Sequence, residues 1–122
     1  MAANKAEKSN KPNNKLGLIS MCRKAGKLVM GMDMVKEACR TGTAKAVFTA
    51  SDLSPKSLKE VKFSCARYGV KLYALGVDMD EVGNGIGKRT GVVAMTDGGF
   101  AKSCVKGLEE IQIDENEFYG GI

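Results

Sequence analysis

A chain of 122 residues with 43% apolar and 27% charged side chains fits one domain and can bury one core without disulfides or metal. No apolar run approaches the ~18 to 20 residues of a membrane span, and the N-terminus lacks the apolar stretch of a secretion signal, so the expected setting is the cytoplasm with no membrane partner. The net charge of +5 is uneven: all 19 Lys and Arg but only nine of the 14 acids lie in residues 1–108, a body of +10, whereas Glu109, Glu110, Asp114, Glu115 and Glu117 follow without a cation. Such a basic body suits a polyanionic ligand.

Residues 1–12 are polar and lysine-bearing, too poor in large apolar groups to repay the entropy of ordering, and read as a disordered basic arm. Asn13 or Asn14 can cap a first helix whose apolar stripe is Leu16, Ile19, Cys22 and Ala25, closed by Gly26. Leu28-Val29-Met30 reads as a strand. A second helix runs from about Met32 to Thr41, with Val35, Ala38 and Cys39 inward and Asp33, Lys36, Glu37 and Arg40 outward. Met34 falls close to the polar side. A second strand covers 46–50, and Ser54-Pro55 opens a third helix that ends at Gly69.

A third strand covers 70–75, followed by a short helical turn near Asp78 to Val82 and a glycine-rich basic loop from Gly83 to Gly91. Val92 to Met95 form a fourth strand. Asp97 then caps a last helix carrying Phe100, Ala101, Cys104, Val105, Leu108 and Ile111 on one face. Alternating helices and strands predict an α/β fold, a three-layer α-β-α sandwich around a mixed four-stranded sheet. The organisation expected is an arm (1–12), one domain (13–111) and an acidic tail (112–122).

Two basic, glycine-bounded stretches stand out. In the first, Arg23, Lys24, Lys27 and Lys36 share a segment with the start of the second helix at Gly31, where unpaired N–H groups and the positive dipole end favour an anion. Asp33 there can serve as a cap or as a ligand contact. The second stretch carries Lys88 and Arg89 at the junction of the glycine-rich loop with the fourth strand. It is not a Walker A loop, because Val82 and Arg89 occupy the places of the leading Gly and the Mg²⁺-binding Ser or Thr. It is not a dinucleotide fingerprint either, since it precedes a strand instead of opening a helix. No histidine is present to act as general base, and Cys22, Cys39, Cys65 and Cys104 are scattered on apolar stripes as small buried side chains. Asp78, Asp80 and Glu81 read as the solvated face of a short helix. Neither catalysis, nor a cofactor, nor a metal is expected.

Gly31-Met32-Asp33-Met34-Val35, with Gly42-x-Ala44-Lys45 and Ala50-Ser51-Asp52 after it, resembles the L-seven-Ae/L-thirty-e ribosomal protein superfamily. The bacterial YlxQ-like branch is similar in Arg23-Lys24-Ala25-Gly26-Lys27-Leu28-Val29-x-Gly31, in Ile86-Gly87-Lys88 and in Thr96-Asp97-x-Gly99-Phe100-Ala101-Lys102. The resemblance spans roughly 14–108. It implies an α-β-α sandwich that binds kink-turn RNA, with the second helix contacting guanines of tandem sheared G·A pairs and the loop before the fourth strand covering flipped-out bases. It assigns Gly31, Met32, Asp33, Met34 and Glu37 to the helix contact and Gly87, Lys88, Arg89 and Thr90 to the loop contact. Lys27, Lys36, Lys88 and Arg89 would neutralise phosphates.

Strong binders in the superfamily carry Asn-Glu at Asp33-Met34 and Lys at Glu37. Ionised Asp33 accepts hydrogen bonds but donates none, Met34 lacks a polar group, and Glu37 sets a negative charge where a phosphate is expected. The function expected is therefore a non-catalytic, monomeric, ribosomal-protein-like binder of kink-turn or other structured RNA, with ribosomal RNA and the ribosome as possible partners. The alternative is a protein-interaction module on the same fold.

Overall fold

In a computed structural model the described residues are 15–114 and 116; the N-terminal arm, Asn13, Asn14 and most of the acidic tail lie outside them. The elements are α1 (Leu16–Lys24), β1 (Leu28–Met30), α2 (Met32–Arg40), β2 (Ala46–Thr49), α3 (Pro55–Tyr68), β3 (Leu72–Ala74), α4 (Met79–Ile86), β4 (Val92–Met95), α5 (Gly98–Val105) and β5 (Glu109–Glu110). The sheet order is β1-β4-β2-β3-β5, with β2 and β3 parallel and the other neighbours antiparallel.

Period-two alternation along the central strands builds the layers. Ala46 and Phe48 of β2 and Val93 and Met95 of β4 face one side, where they meet Ile19 and Cys22 of α1, Val82 and Ile86 of α4, and Ala101 and Cys104 of α5. Val47, Val92 and Ala94 face the other, against Val35, Ala38 and Cys39 of α2 and Val61 and Cys65 of α3. Both strands are buried along their whole length, as strands covered on two faces must be. Burying each large side chain such as Phe48 or Leu72 contributes roughly 1.5–3 kcal/mol. All four cysteines are free thiols inside these clusters, as their apolar spacing predicts.

The sheet has five strands where the sequence predicts four. The last helix stops at Val105, and Gly107, at φ 79°, turns the chain so that Glu109 and Glu110 pair with Ala74 and Tyr73. Leu108 and Ile111 still reach the core, but from this edge segment, and Ile113 packs beside Ile111 against the α2–α3 side. The Gly83–Gly91 stretch is likewise not a loop throughout. Gly83 to Ile86 complete α4, a helix of eight residues started by a reciprocal capping box: the Glu81 amide donates to Asp78 and the Asp78 amide to Glu81. Only Gly87 to Gly91 remain as a connection. Ser54 caps α3 by accepting from the Ser57 amide, with Pro55 in the first turn and Gly69 in the left-handed conformation at its end.

Candidate functional site

The two basic stretches meet at the carbonyl of Val92. Pairing of β1 with β4 sets Met30 opposite Val93, so the next amide, that of Gly31, donates to the Val92 oxygen at 3.0 Å. The Thr90 hydroxyl donates to the same oxygen at 3.1 Å. One acceptor thus fixes the entry of α2 against the end of the Gly87–Gly91 connection.

Gly31 holds φ 94° and ψ 151°, a combination open essentially to glycine, and this lets the chain leave the strand and begin α2 in one residue. No side chain caps α2. Among the described residues the amides of Met32, Asp33 and Met34 have no acceptor, and the first helical bond runs from Val35 to Gly31. Asp33 therefore does not cap the helix; its carboxylate is exposed in the first turn. Met32 is half-buried against the α2–α3 core, while Met34 is 57% exposed. An unbranched thioether held in solvent beside three open amides is an adaptable apolar contact next to a polar one.

The opposite wall is set from several directions. Gly87 ends α4 in the left-handed conformation, at φ 87°. Arg23 of α1 donates to the carbonyl of Ile86, so this cation fastens the connection instead of facing a ligand. Lys88 and Arg89 are both exposed. Arg89 donates to Asp80 at 2.7 Å, and that hydrogen bond, with the charges of Asp80, Asp52 and Asp78, holds its guanidinium above its ordinary pKa. Lys88 has no carboxylate partner among the described residues. Thr90 is only 8% exposed and turned inward, so it braces the wall and its hydroxyl does not face outward.

Other residues singled out in the sequence lie further off or are already engaged. Lys27 precedes β1, and its carbonyl accepts from the amide and hydroxyl of Thr96 at the far end of the sheet, roughly 13 Å of strand from Gly31. Lys36 pairs with Glu60 of α3 at 2.5 Å, which raises its pKa. Glu37 pairs with Arg40, lowering the carboxyl pKa and raising that of the guanidinium, so Arg40 does not stand as an open charge beside Glu37. The site is thus less cationic than its composition suggests.

Sequence reasoning named Asp52 and Asp80 but not their pairings: the Asp52 carboxylate accepts from the Met79 amide at 2.9 Å and anchors the start of α4, and Asp80, exposed as expected, pairs with Arg89. Neither pairing carries a short-range signal, because Asp52 and Met79 join through the fold and Asp80 and Arg89 span a helix end. Among the described residues no three His, Cys, Asp or Glu side chains gather as metal ligands.

The sequence profile of the ribosomal protein L7Ae/L30e/S12e/Gadd45 family matches residues 14–105. The chain is 34% identical over 94 residues to the RNA-binding protein YlxQ of Enterococcus faecium, covering 77% of this chain and 90% of that one. It is 34% identical over 93 residues to the RNA-binding protein YlxQ of Bacillus subtilis (strain 168), covering 75% and 92%. Among solved structures, a protein of unknown function from Bacillus halodurans superposes with a TM-score of 0.70 at 25% identity, over 75% of this chain and 92% of the other. The Giardia lamblia 15.5kD RNA binding protein shares the fold, with a TM-score of 0.67 at 17% identity over 80% and 88%. With a profile match across most of its length and relatives aligned almost end to end, the chain belongs to the ribosomal protein L7Ae/L30e/S12e/Gadd45 family.

Proposed function

We propose that this protein binds structured RNA without catalysis, at the junction of the α2 N-terminus and the Gly87–Gly91 connection, and that its preferred target is a kink-turn. The observation that carries this reading is the shared Val92 carbonyl, which brings three open helix amides, exposed Asp33 and Met34, and the exposed Lys88 and Arg89 to one edge of the sheet. The helix amides donate to phosphate oxygens, the Asp33 carboxylate accepts from guanine N–H groups, Met34 packs on a base, and Lys88 neutralises backbone charge. Family membership and the naming of both YlxQ relatives as RNA-binding proteins support it. Cytoplasmic, ribosomal or other structured RNA is the natural target class under this reading, and Lys27 serves as an outlying phosphate contact.

The test is titration of the full chain against a kink-turn RNA and against a duplex in which Watson–Crick pairs replace the sheared G·A pairs, at two salt concentrations. Preference for the kink-turn at both salts is the expected result. Equal, strongly salt-dependent binding to both RNAs would mean a non-specific basic surface and overturn the specific reading. A protein-docking role for the same face is favoured by one observation, the cancellation of Lys36 by Glu60 and of Arg40 by Glu37. Absence of binding to either RNA would select it.

A further inference from the structure

At the end of the sheet away from Gly31, a cavity of about 410 Å³ opens between α5 and the starts of β2 and β3. Its size lies within the roughly 300–1,000 Å³ of small-molecule sites. Among the described residues every charged side chain that lines it is a cation. Lys45 precedes β2, where its amide donates to the Met95 carbonyl at 2.7 Å, and Lys71 precedes β3, where its carbonyl accepts from the Val47 amide at 3.1 Å. Lys102 comes from α5, on the same helical face as Gly98, Ala101 and Val105. All three lysines are exposed. Among the described residues Lys45 and Lys102 have no carboxylate partner, and Lys71 has only Glu110 at 3.9 Å, the outer limit of an ion pair. The Asp97 carboxylate at the head of α5 is engaged with the Phe100 amide. The other lining side chains are Ala46, Ala101, Val105 and Tyr73, whose ring stacks on the buried Phe48 at 5.8 Å between centroids. The Tyr73 hydroxyl has no hydrogen-bond partner among the described residues.

We propose that this cavity binds a nucleoside 5′-phosphate, free or as the end of an RNA strand, with the three lysines on the phosphate and the base against Tyr73. Three ammonium groups around one concavity repel one another until an anion enters. A terminal phosphate monoester carries a charge of about −1.5 to −2 at pH 7, more than the single charge of an internal phosphodiester, and lysine meets it as a point charge. A bare phosphate would leave the apolar lining uncovered. A planar base covers Ala46, Ala101 and the Tyr73 ring and presents polar edge atoms to the open hydroxyl. The cavity uses none of the residues of the α2 junction and lies on the α5 side of the sheet, so the two sites stand or fall separately.

The test is calorimetric titration of the full-length protein with adenosine 5′-monophosphate, adenosine and inorganic phosphate, and with a short RNA beginning in adenosine, made with a 5′-phosphate or a 5′-hydroxyl. The mononucleotide is expected to bind more tightly than adenosine or inorganic phosphate, and Lys45→Gln with Lys102→Gln to weaken it about tenfold or more. Both lysines are exposed, so the substitutions leave the core intact. Preference for the phosphorylated strand over the hydroxyl strand, lost in the lysine variant, assigns the strand end as the source; mononucleotide binding without that preference assigns the free nucleotide. If neither the mononucleotide nor the phosphorylated strand binds, or if the lysine substitutions change nothing, the proposal is overturned. Equal affinity for adenosine or for inorganic phosphate overturns it as well. A kink-turn RNA with a 5′-hydroxyl end is titrated in parallel, and its failure to bind while the mononucleotide binds removes the α2 reading alone.

Discussion

Replacing Gly31 by alanine separates backbone strain from packing. A Cβ built on Gly31 meets no heavy atom within 4 Å, so Gly31→Ala introduces no clash. Its cost is conformational: φ 94° with ψ 151° lies in a region that L-residues occupy at roughly 1–3 kcal/mol. The chain can hold the geometry and lose that stability, or rotate and give up the Gly31–Val92 hydrogen bond on which the junction rests. Against a total of about 5–15 kcal/mol either path is measurable by urea unfolding. Gly17 is the matched control: it lies inside α1, its Cβ also meets nothing, and its φ is ordinary, so Gly17→Ala should stabilise by roughly 0.5–1 kcal/mol. Opposite signs for the two variants, with RNA affinity lowered in Gly31→Ala alone, are expected. Equal stability of Gly31→Ala and the parent, or the same sign for both, would refute the assignment of Gly31 as a strained pivot.

The charges give further tests. Asp33→Asn with Glu37→Lys supplies a donor and a cation and frees Arg40, and should tighten kink-turn binding roughly ten- to a hundredfold, the worth of one charge-assisted hydrogen bond at roughly 1.5–3 kcal/mol; unchanged affinity in a filter-binding assay would place the guanine contacts elsewhere. Lys88→Gln should reduce the slope of log affinity against log salt by about 0.9, and Asp80→Asn, which releases Arg89 while leaving the Asp78–Glu81 box intact, should raise affinity. Burial first, and the charge of Asp97 second, push the Cys22 thiol from 9.0 up to about 11, and burial pushes Cys104 to about 12. The unfolded chain therefore loses these protons first as pH rises, so stability is flat below pH 9 on their account and falls between about 9 and 11. Urea midpoints should drop less over that interval in Cys22→Ala than in the parent, and native thiols should resist alkylation at neutral pH.

The helices and central strands were legible because each carries its own signals: the Ser54-Pro55 start and Gly69 stop of α3, the inward Val35, Ala38 and Cys39 of α2, and the apolar run of β4. The glycines of α4 were misread because their reason is tertiary. A Cβ on Gly83 would come within 3.2 Å of Arg89, and one on Gly85 within 3.0 Å of Leu16, so these glycines permit close approach and do not mark a flexible loop. In α5 the spacing of Val105, Leu108 and Ile111 suits a helix, but the Ile111 amide donates to the carbonyl of Leu72, and an edge pairing of this kind leaves no local trace. At the candidate site the exposure of Asp33, Met34, Lys88 and Arg89 was readable from the sequence, whereas the remoteness of Lys27 and the inward turn of Thr90 were not. The effective charge was not readable either, because Glu60, Asp80 and the Ile86 carbonyl reach Lys36, Arg89 and Arg23 from other elements.

The Val92 oxygen accepts from an amide 61 positions earlier in the chain. The junction at the head of α2 therefore cannot form in any fragment that lacks β4, and closing so long a loop is the slow kind of step in folding. A nascent or partly unfolded chain keeps its lysines but has no platform on which to align them. Under the proposed reading, discrimination between targets is then a property of the completed sheet, whereas crude attraction to polyanions needs only the net positive charge. If RNA binds at this junction as proposed, any RNA that prefers the completed form shifts the balance toward it by mass action, and would act as a folding clamp on two distant stretches of the chain.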